Sequence, residues 1–153
     1  MSPSPLNHAD LSVAVRLGPI VAIDLIIRDD SDRVLLGFRT NEPAKGVYFV
    51  PGGRIWKDEW ISDAFERILK AETNYAGTFD QARFRGVHEH FYETNRFGEP
   101  GYGSHYVALV YEIRIGINSQ LRTDTQHTEF VWWAAPTILA SDRVHENTKA
   151  YFR

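Results

Sequence analysis

The chain has no cysteine among its 153 residues, which excludes a disulfide framework and a thiol nucleophile. It has no basic excess either. Seventeen Lys and Arg against 20 Asp and Glu give a net charge of -3, which argues against a general nucleic-acid binder and requires any grip on phosphate to be local. No apolar run is long enough to cross a bilayer, and the opening MSPSPLNHADLS lacks the apolar segment of a secretory signal. Repeats and low-complexity tracts are absent. The expectation is a cytoplasmic protein with neither membrane nor nucleic acid as a partner. What is present is enough apolar residue, 43%, for one domain with a core spanning 1–153, in which the Ser- and Pro-punctuated residues 1–7 are expected to be mobile.

The stretch from Val50 to Tyr75, VPGGRIWKDEWISDAFERILKAETNY, organises the rest. It reads as a strand end, a Pro-Gly-Gly turn, a loop and an amphipathic helix. Starting at Trp60, the apolar residues Ile61, Phe65, Ile68 and Leu69 recur at helical spacing and form one stripe. At about 100° per residue, Glu72 projects within roughly 20 to 60° of each of those four side chains. A carboxylate in a buried stripe must be neutralised, salt-bridged or bound to a cation.

Along the chain, Asn7 is a candidate N-cap for a short helix ended by Gly18-Pro19. Ile20–Arg28 and Val34–Arg39 read as strands of a hairpin, and Val47–Val50 as a third strand before the turn. Asp24 interrupts the apolar run IVAIDLII, where it needs a partner or a wet site. Arg39, Arg54 and Arg67 lie around the glycine turn. Their guanidinium forks suit a diphosphate, and the two glycines let backbone atoms approach one closely. Arg83–Thr94 reads as a strand with His88, His90 and Tyr92 on one face. His105–Ile115 reads as an interior strand carrying Tyr106, with His90 and Tyr106 expected on neighbouring strands. A polar loop, Asn118–Thr128, holds Gln126 and His127 ahead of a strand at Glu129–Trp133. Short helices follow from Pro136 and from Glu146 to Phe152. On residue type alone His127 reads as a solvated loop histidine. Phe38 reads equally as a base-stacking group or as core.

Gly53, Glu59, Arg67 and Glu72 stand at the spacing G-x5-E-x7-R-x4-E, on a glycine loop followed by a helix, and this resembles the Nudix box. Three box positions differ. Ile68 and Ala71 stand where Glu is usual, and Asn74 where Gly is usual; Asn is the best substitute for Gly in a left-handed cap. Together with the segments LLGFRTNEPAKGVYFVPGGR, VHEHFY, SHYV, TQHTEF and ASDRVHENTKAYF, the pattern resembles the GDP-mannose mannosyl hydrolase branch from about Pro19 to Phe152.

That resemblance implies an α/β fold, a Nudix-type α/β/α sandwich around a mixed sheet. It implies a nucleotide-sugar substrate, a homodimer, and one Mg2+, with Mn2+ able to substitute, held by Glu72, the Gly52 carbonyl and the Gln126 side chain. All three are hard oxygen donors. It assigns the general base to His127, which an imidazole near neutral pH suits, and positioning to Asp24 and His90. The phosphates go to Arg39, Arg54, Arg67 and Tyr106. With two box carboxylates missing, the expected reaction is water attack at the anomeric carbon, with inversion, releasing GDP. Two rivals are attack at phosphorus of another nucleoside-diphosphate derivative and a sensor that binds a nucleotide sugar without turnover.

Overall fold

In the computed structural model, residues 2–116, 121 and 127–153 are described, with the backbone alone at 127 and 128. The elements are α1 (His8–Leu17), β1 (Ile20–Arg28), β2 (Val34–Arg39), β3 (Tyr48–Phe49), β4 (Gly52–Arg54), α2 (Ile61–Thr73), β5 (Arg83–Tyr92), β6 (Ser104–Arg114), β7 (His127–Trp133), α3 (Ala135–Ala140) and α4 (Glu146–Lys149), with 3-10 turns at Phe79–Gln81 and Ala150–Phe152. The strands form one sheet in the order β3-β2-β1-β6-β5, with β4 paired to β1 and β7 to β2. The β1–β6 pair is parallel and the others are antiparallel, so the sheet is mixed.

Strand alternation divides the core in two. Ile23, Leu25 and Ile27 point to one face and pack with Phe65, Ile68 and Leu69 of α2 and with Ile113 of β6. Ile26, Leu36 and Val110 point to the other and pack with Tyr48, Phe49, Ile138 of α3 and Tyr151. This is the expected α/β/α sandwich.

Local chemistry explains most boundaries. The Asn7 side chain accepts the Asp10 N–H at 2.8 Å and starts α1, and the Gly18 N–H closes it on Ala14 O. Asn74 ends α2 in the left-handed conformation, φ 63°. At the β1–β2 turn, buried Asp29 accepts the Ser31 and Arg33 N–H groups at 3.0 and 2.9 Å, which folds the expected charged turn tightly.

Several boundaries differ from expectation. Trp60 stands before α2 and is 78% exposed, and Ile61 is 41% exposed, so the buried stripe begins only at Ala64 and Phe65. Gly52 and Gly53 are not merely a turn. They form strand β4 because the N-terminal half of β1 offers an edge to pair with. The β7 strand begins at His127, paired to Arg39, where a loop was expected through residue 128. The last helix becomes a 3-10 turn at Ala150. Ser4, in the stretch expected to be mobile, makes a single bridge to Lys57. Phe38 packs edge-on to Tyr48 at 5.2 Å among the core, which supports its packing role.

Candidate active site

A cavity of about 460 Å3 opens where the edge of the sheet meets α2, within the usual range for a small-ligand site. Its floor follows from strand register. Opposed pairs Ala22↔Ala108 on β1 and β6, and His90↔Tyr106 on β5 and β6, place Asp24, His90, Tyr92, Tyr106 and Ala108 on the cavity side. The expectation that His90 and Tyr106 are neighbours facing one site is met.

Asp24 and His90 are buried, 8% and 4% exposed. The hydroxyl of Tyr151, from the last turn of the chain, donates to Asp24 and lies 3.0 Å from His90 Nε2. Burial pushes the Asp24 carboxyl up to about 6, against the hydrogen bond from Tyr151 and the charge of Arg39, which pull it down. Burial pushes His90 down to about 4, with His88 and His145 adding to the effect. His90 is therefore neutral, and its Nδ1, 4.0 Å from Asp24, makes no ion pair. Burial also raises Tyr92, Tyr106 and Tyr151, so these phenols stay protonated.

The wall is the box itself. Arg67 donates from Nε to Glu59 Oε1 at 2.6 Å and from Nη2 to Glu59 Oε2 at 2.9 Å and to the Arg54 carbonyl at 2.8 Å. Its guanidinium also stacks 3.8 Å over the Trp56 ring, and the Trp56 backbone N–H donates to Glu59 Oε2. Burial pushes the Glu59 carboxyl up, but the Arg67 and Trp56 hydrogen bonds outweigh it and hold the group below its usual range. Arg67 lines the cavity, and these donors brace the loop 54–59 against α2.

Arg39 and Arg54 both line the cavity, as expected, and Arg39 Nε is tied to the Pro43 carbonyl at 2.9 Å. Sequence reasoning missed a further cation. Arg96 also lines the cavity, on a loop organised by buried Asn95, whose amide bonds the carbonyls of Glu99 and Tyr102 and the N–H groups of Phe97 and Glu99. Burial lowers Arg54, and the like charges of Arg96 and Arg67 lower it further. Such a concentration of cations favours a polyanionic ligand. The signal available in the sequence was the NRFGEPGYG turn chemistry beside Arg96.

The hard donors sit at the base. Glu72 is 7% exposed on the cavity side of α2. Gly52 lies so close to β1 that a Cβ there would fall 2.5 Å from Asp24 Oδ1 and 2.6 Å from the Ile23 carbonyl. Where the box usually carries acids, Ile68 is buried against Gly53, and Ala71 is a methyl on the cavity wall. Among the described residues no group of three His, Cys, Asp or Glu side chains is arranged to hold a metal. A carboxylate and a peptide carbonyl suit a magnesium-like cation whose shell is completed largely by ligand and water. Gln126 lies outside the described residues, as does the His127 side chain. No helix among the described residues is long and apolar enough to cross a membrane.

The fold recurs in solved structures. A MutT protein from Methanosarcina mazei Go1 superposes with a TM-score of 0.71 at 19% identity, covering 88% of this chain and 91% of that one. The NUDIX domain of Shewanella oneidensis NrtR complexed with ADP ribose gives 0.66 at 16% identity, covering 95% of both chains. In sequence, the chain is 39% identical over 118 residues to low-salt glycan biosynthesis protein Agl8 of Haloferax volcanii, covering 77% of this chain and 72% of the relative. It is 42% identical over 57 residues to an ADP-ribose pyrophosphatase of Methanocaldococcus jannaschii, 37% of this chain and 33% of that protein. The NUDIX domain model matches residues 18–153, nearly the whole chain. By that match, and by the strand, glycine loop and helix that carry Glu59, Arg67 and Glu72, the chain belongs to the NUDIX family, the Nudix hydrolases of nucleotide derivatives.

Proposed function

We propose that this Nudix hydrolase cleaves a GDP-sugar, GDP-mannose first, at the anomeric carbon, releasing GDP and the free sugar with inversion. The observation that carries the reading is the pair Ile68 and Ala71 on the cavity wall, where carboxylates would gather metals around phosphorus. With that acid cluster replaced, the C1–O bond becomes the one this site is equipped to break. The glycan-biosynthesis name of the Haloferax relative fits, because such pathways run on nucleotide sugars.

Glu72, the Gly52 carbonyl and Gln126 would hold Mg2+, with Mn2+ able to substitute. When bound, that ion supplies charge neutralisation on the diphosphate, which makes GDP a better leaving group. Arg39, Arg54 and Arg96 line the same cavity and neutralise the remaining charge, with Tyr106 donating a hydrogen bond from the floor. Arg67 acts through the Glu59 brace. His127 is the base in this reading, which the pairing of its backbone with cavity-lining Arg39 supports. It takes a proton from water as the water oxygen bonds to C1 and the C1–O pair leaves with GDP. Asp24 and His90 orient the sugar and the water. The protein works as a homodimer, for which the exposed Val87 and Phe91 on edge strand β5 are the apolar candidates.

The deciding experiment is hydrolysis of GDP-mannose in 18O-water with Mg2+. Label in the sugar, none in phosphate, and the β anomer appearing first in NMR is the expected result. Label in GMP or sugar phosphate would mean attack at phosphorus. Binding without turnover would mean a sensor.

A further inference from the structure

The diagonal from Asp24 on β1 to His90 on β5 crosses β6 at Ala108, the smallest side chain on that face of the strand. The hydroxyl of Tyr151 bonds to both ends of this diagonal. The residue is 8% exposed, and its ring meets His88 edge-on at 4.8 Å and tilts against His90 at 5.9 Å. Its hydroxyl therefore stands between two buried polar groups from strands that are not themselves neighbours.

Counting protons assigns every role. A carboxylate only accepts, so the single hydroxyl proton goes to Asp24 Oδ2. The phenol oxygen, 3.0 Å from Nε2, can then only accept, and the proton between them must be on His90. A neutral imidazole carries one N–H, so Nδ1 is left with its lone pair. Asp24 Oδ2 is 4.0 Å from that Nδ1, too far to compete for the assignment.

We propose that Tyr151 is a positioning residue of this pocket: one hydroxyl locks the Asp24 carboxylate and holds His90 as the Nε2–H tautomer, leaving Nδ1 as the nitrogen able to accept a proton or hydrogen bond. The proposal rests on the reading that Asp24 and His90 serve the reaction. It adds the chain's last turn, 127 residues from Asp24 in sequence, to the machinery.

The test is 15N NMR of the imidazole ring nitrogens in the free protein at pH 7.5, for wild type and Tyr151→Phe, which removes only the hydroxyl. Wild type should show His90 with Nε2 protonated and Nδ1 bare, and Y151F should show a mixture or the opposite tautomer. With GDP-mannose, Y151F should lose about 10- to 100-fold in kcat, the scale of a misplaced catalytic group, with KM within about twofold. A wild-type spectrum with Nδ1 protonated overturns the proposal even if Y151F does not fold, and so does an unchanged His90 tautomer in folded Y151F. If wild type turns over no GDP-sugar but the tautomer shifts as stated, the proposed reaction fails while the positioning role stands.

Discussion

Gly52 and Asp24 oppose each other across the β1–β4 pair so closely that a Cβ on Gly52 would sit 2.5 Å from the Asp24 carboxylate. The second atom in the way, the Ile23 carbonyl at 2.6 Å, is backbone and cannot swing aside. Gly52→Ala should therefore cost about 1–3 kcal/mol, the range for overpacking, or a fall of roughly 2–12 °C in Tm for a chain of this length. Gly53→Ala meets only the Ile68 side chain, nearest at 3.1 Å, and should cost less. Thermal melts of the two variants decide the matter, and an equal or smaller loss in Gly52→Ala would contradict the close approach.

Arg67 and Glu59 should behave as one unit. If Arg67 is a brace, Glu59→Gln and Arg67→Lys lower kcat to similar extents, and the double variant is little worse than either. A double-mutant cycle should give a coupling of at least about 1 kcal/mol, as expected for side chains in direct contact. Arg67→Lys keeps a charge but loses the fork that spans Glu59 and the Arg54 carbonyl. Additive effects, with Arg67 acting on KM alone, would return this arginine to the phosphates.

These two cases show what the sequence makes legible. Helix α2 and its buried Glu72 follow from a period of 3.6, and the Asn74 cap from the few residue types that tolerate a left-handed backbone. Periodicity reports which way a side chain faces. It does not report which partners a guanidinium takes, so the bonds from Arg67 to Glu59 come into view only in the fold. Gly52-Gly53 carries the signature of a turn because glycine is permissive, and only the unpaired edge of β1 makes it a strand. Tyr151 gives no local signal, since its partners lie on β1 and β5, and Arg96 reaches the cavity only because Asn95 folds its loop.

Glu72→Gln is nearly isosteric, so the fold should persist while affinity for a divalent cation falls. Outer-shell partners of a metal are each worth about 10–100-fold, so removing a direct carboxylate ligand should cost at least tenfold. Mn2+ titration followed by EPR reads the free ion without any turnover. Wild-type affinity in this variant would remove Glu72 from the metal site.

Asp24 and His90 carry opposite shifts, and their effects on stability should cancel in the wild type. Asp24 rises from 3.8 to about 6, so it binds a proton in the folded state that the unfolded chain has already released; stability from this group is present below 3.8 and is lost as pH rises through 6. His90 falls from 6.5 to about 4, so its stability is present above 6.5 and is lost as pH falls through 4. Between roughly pH 4 and 6 the folded pair holds one proton on Asp24 and the unfolded pair holds one on His90, so the net uptake is nil. Each single variant should unmask the other group. Asp24→Asn should gain stability with rising pH between 4 and 6.5, at about 1.4 kcal/mol per unit, and His90→Gln should lose it at a similar slope up to pH 6. Urea denaturation at half-unit intervals from pH 4 to 7 measures both slopes. Variants whose slopes both match the wild type would show that the two groups titrate normally in the folded protein and that the cavity floor is wet.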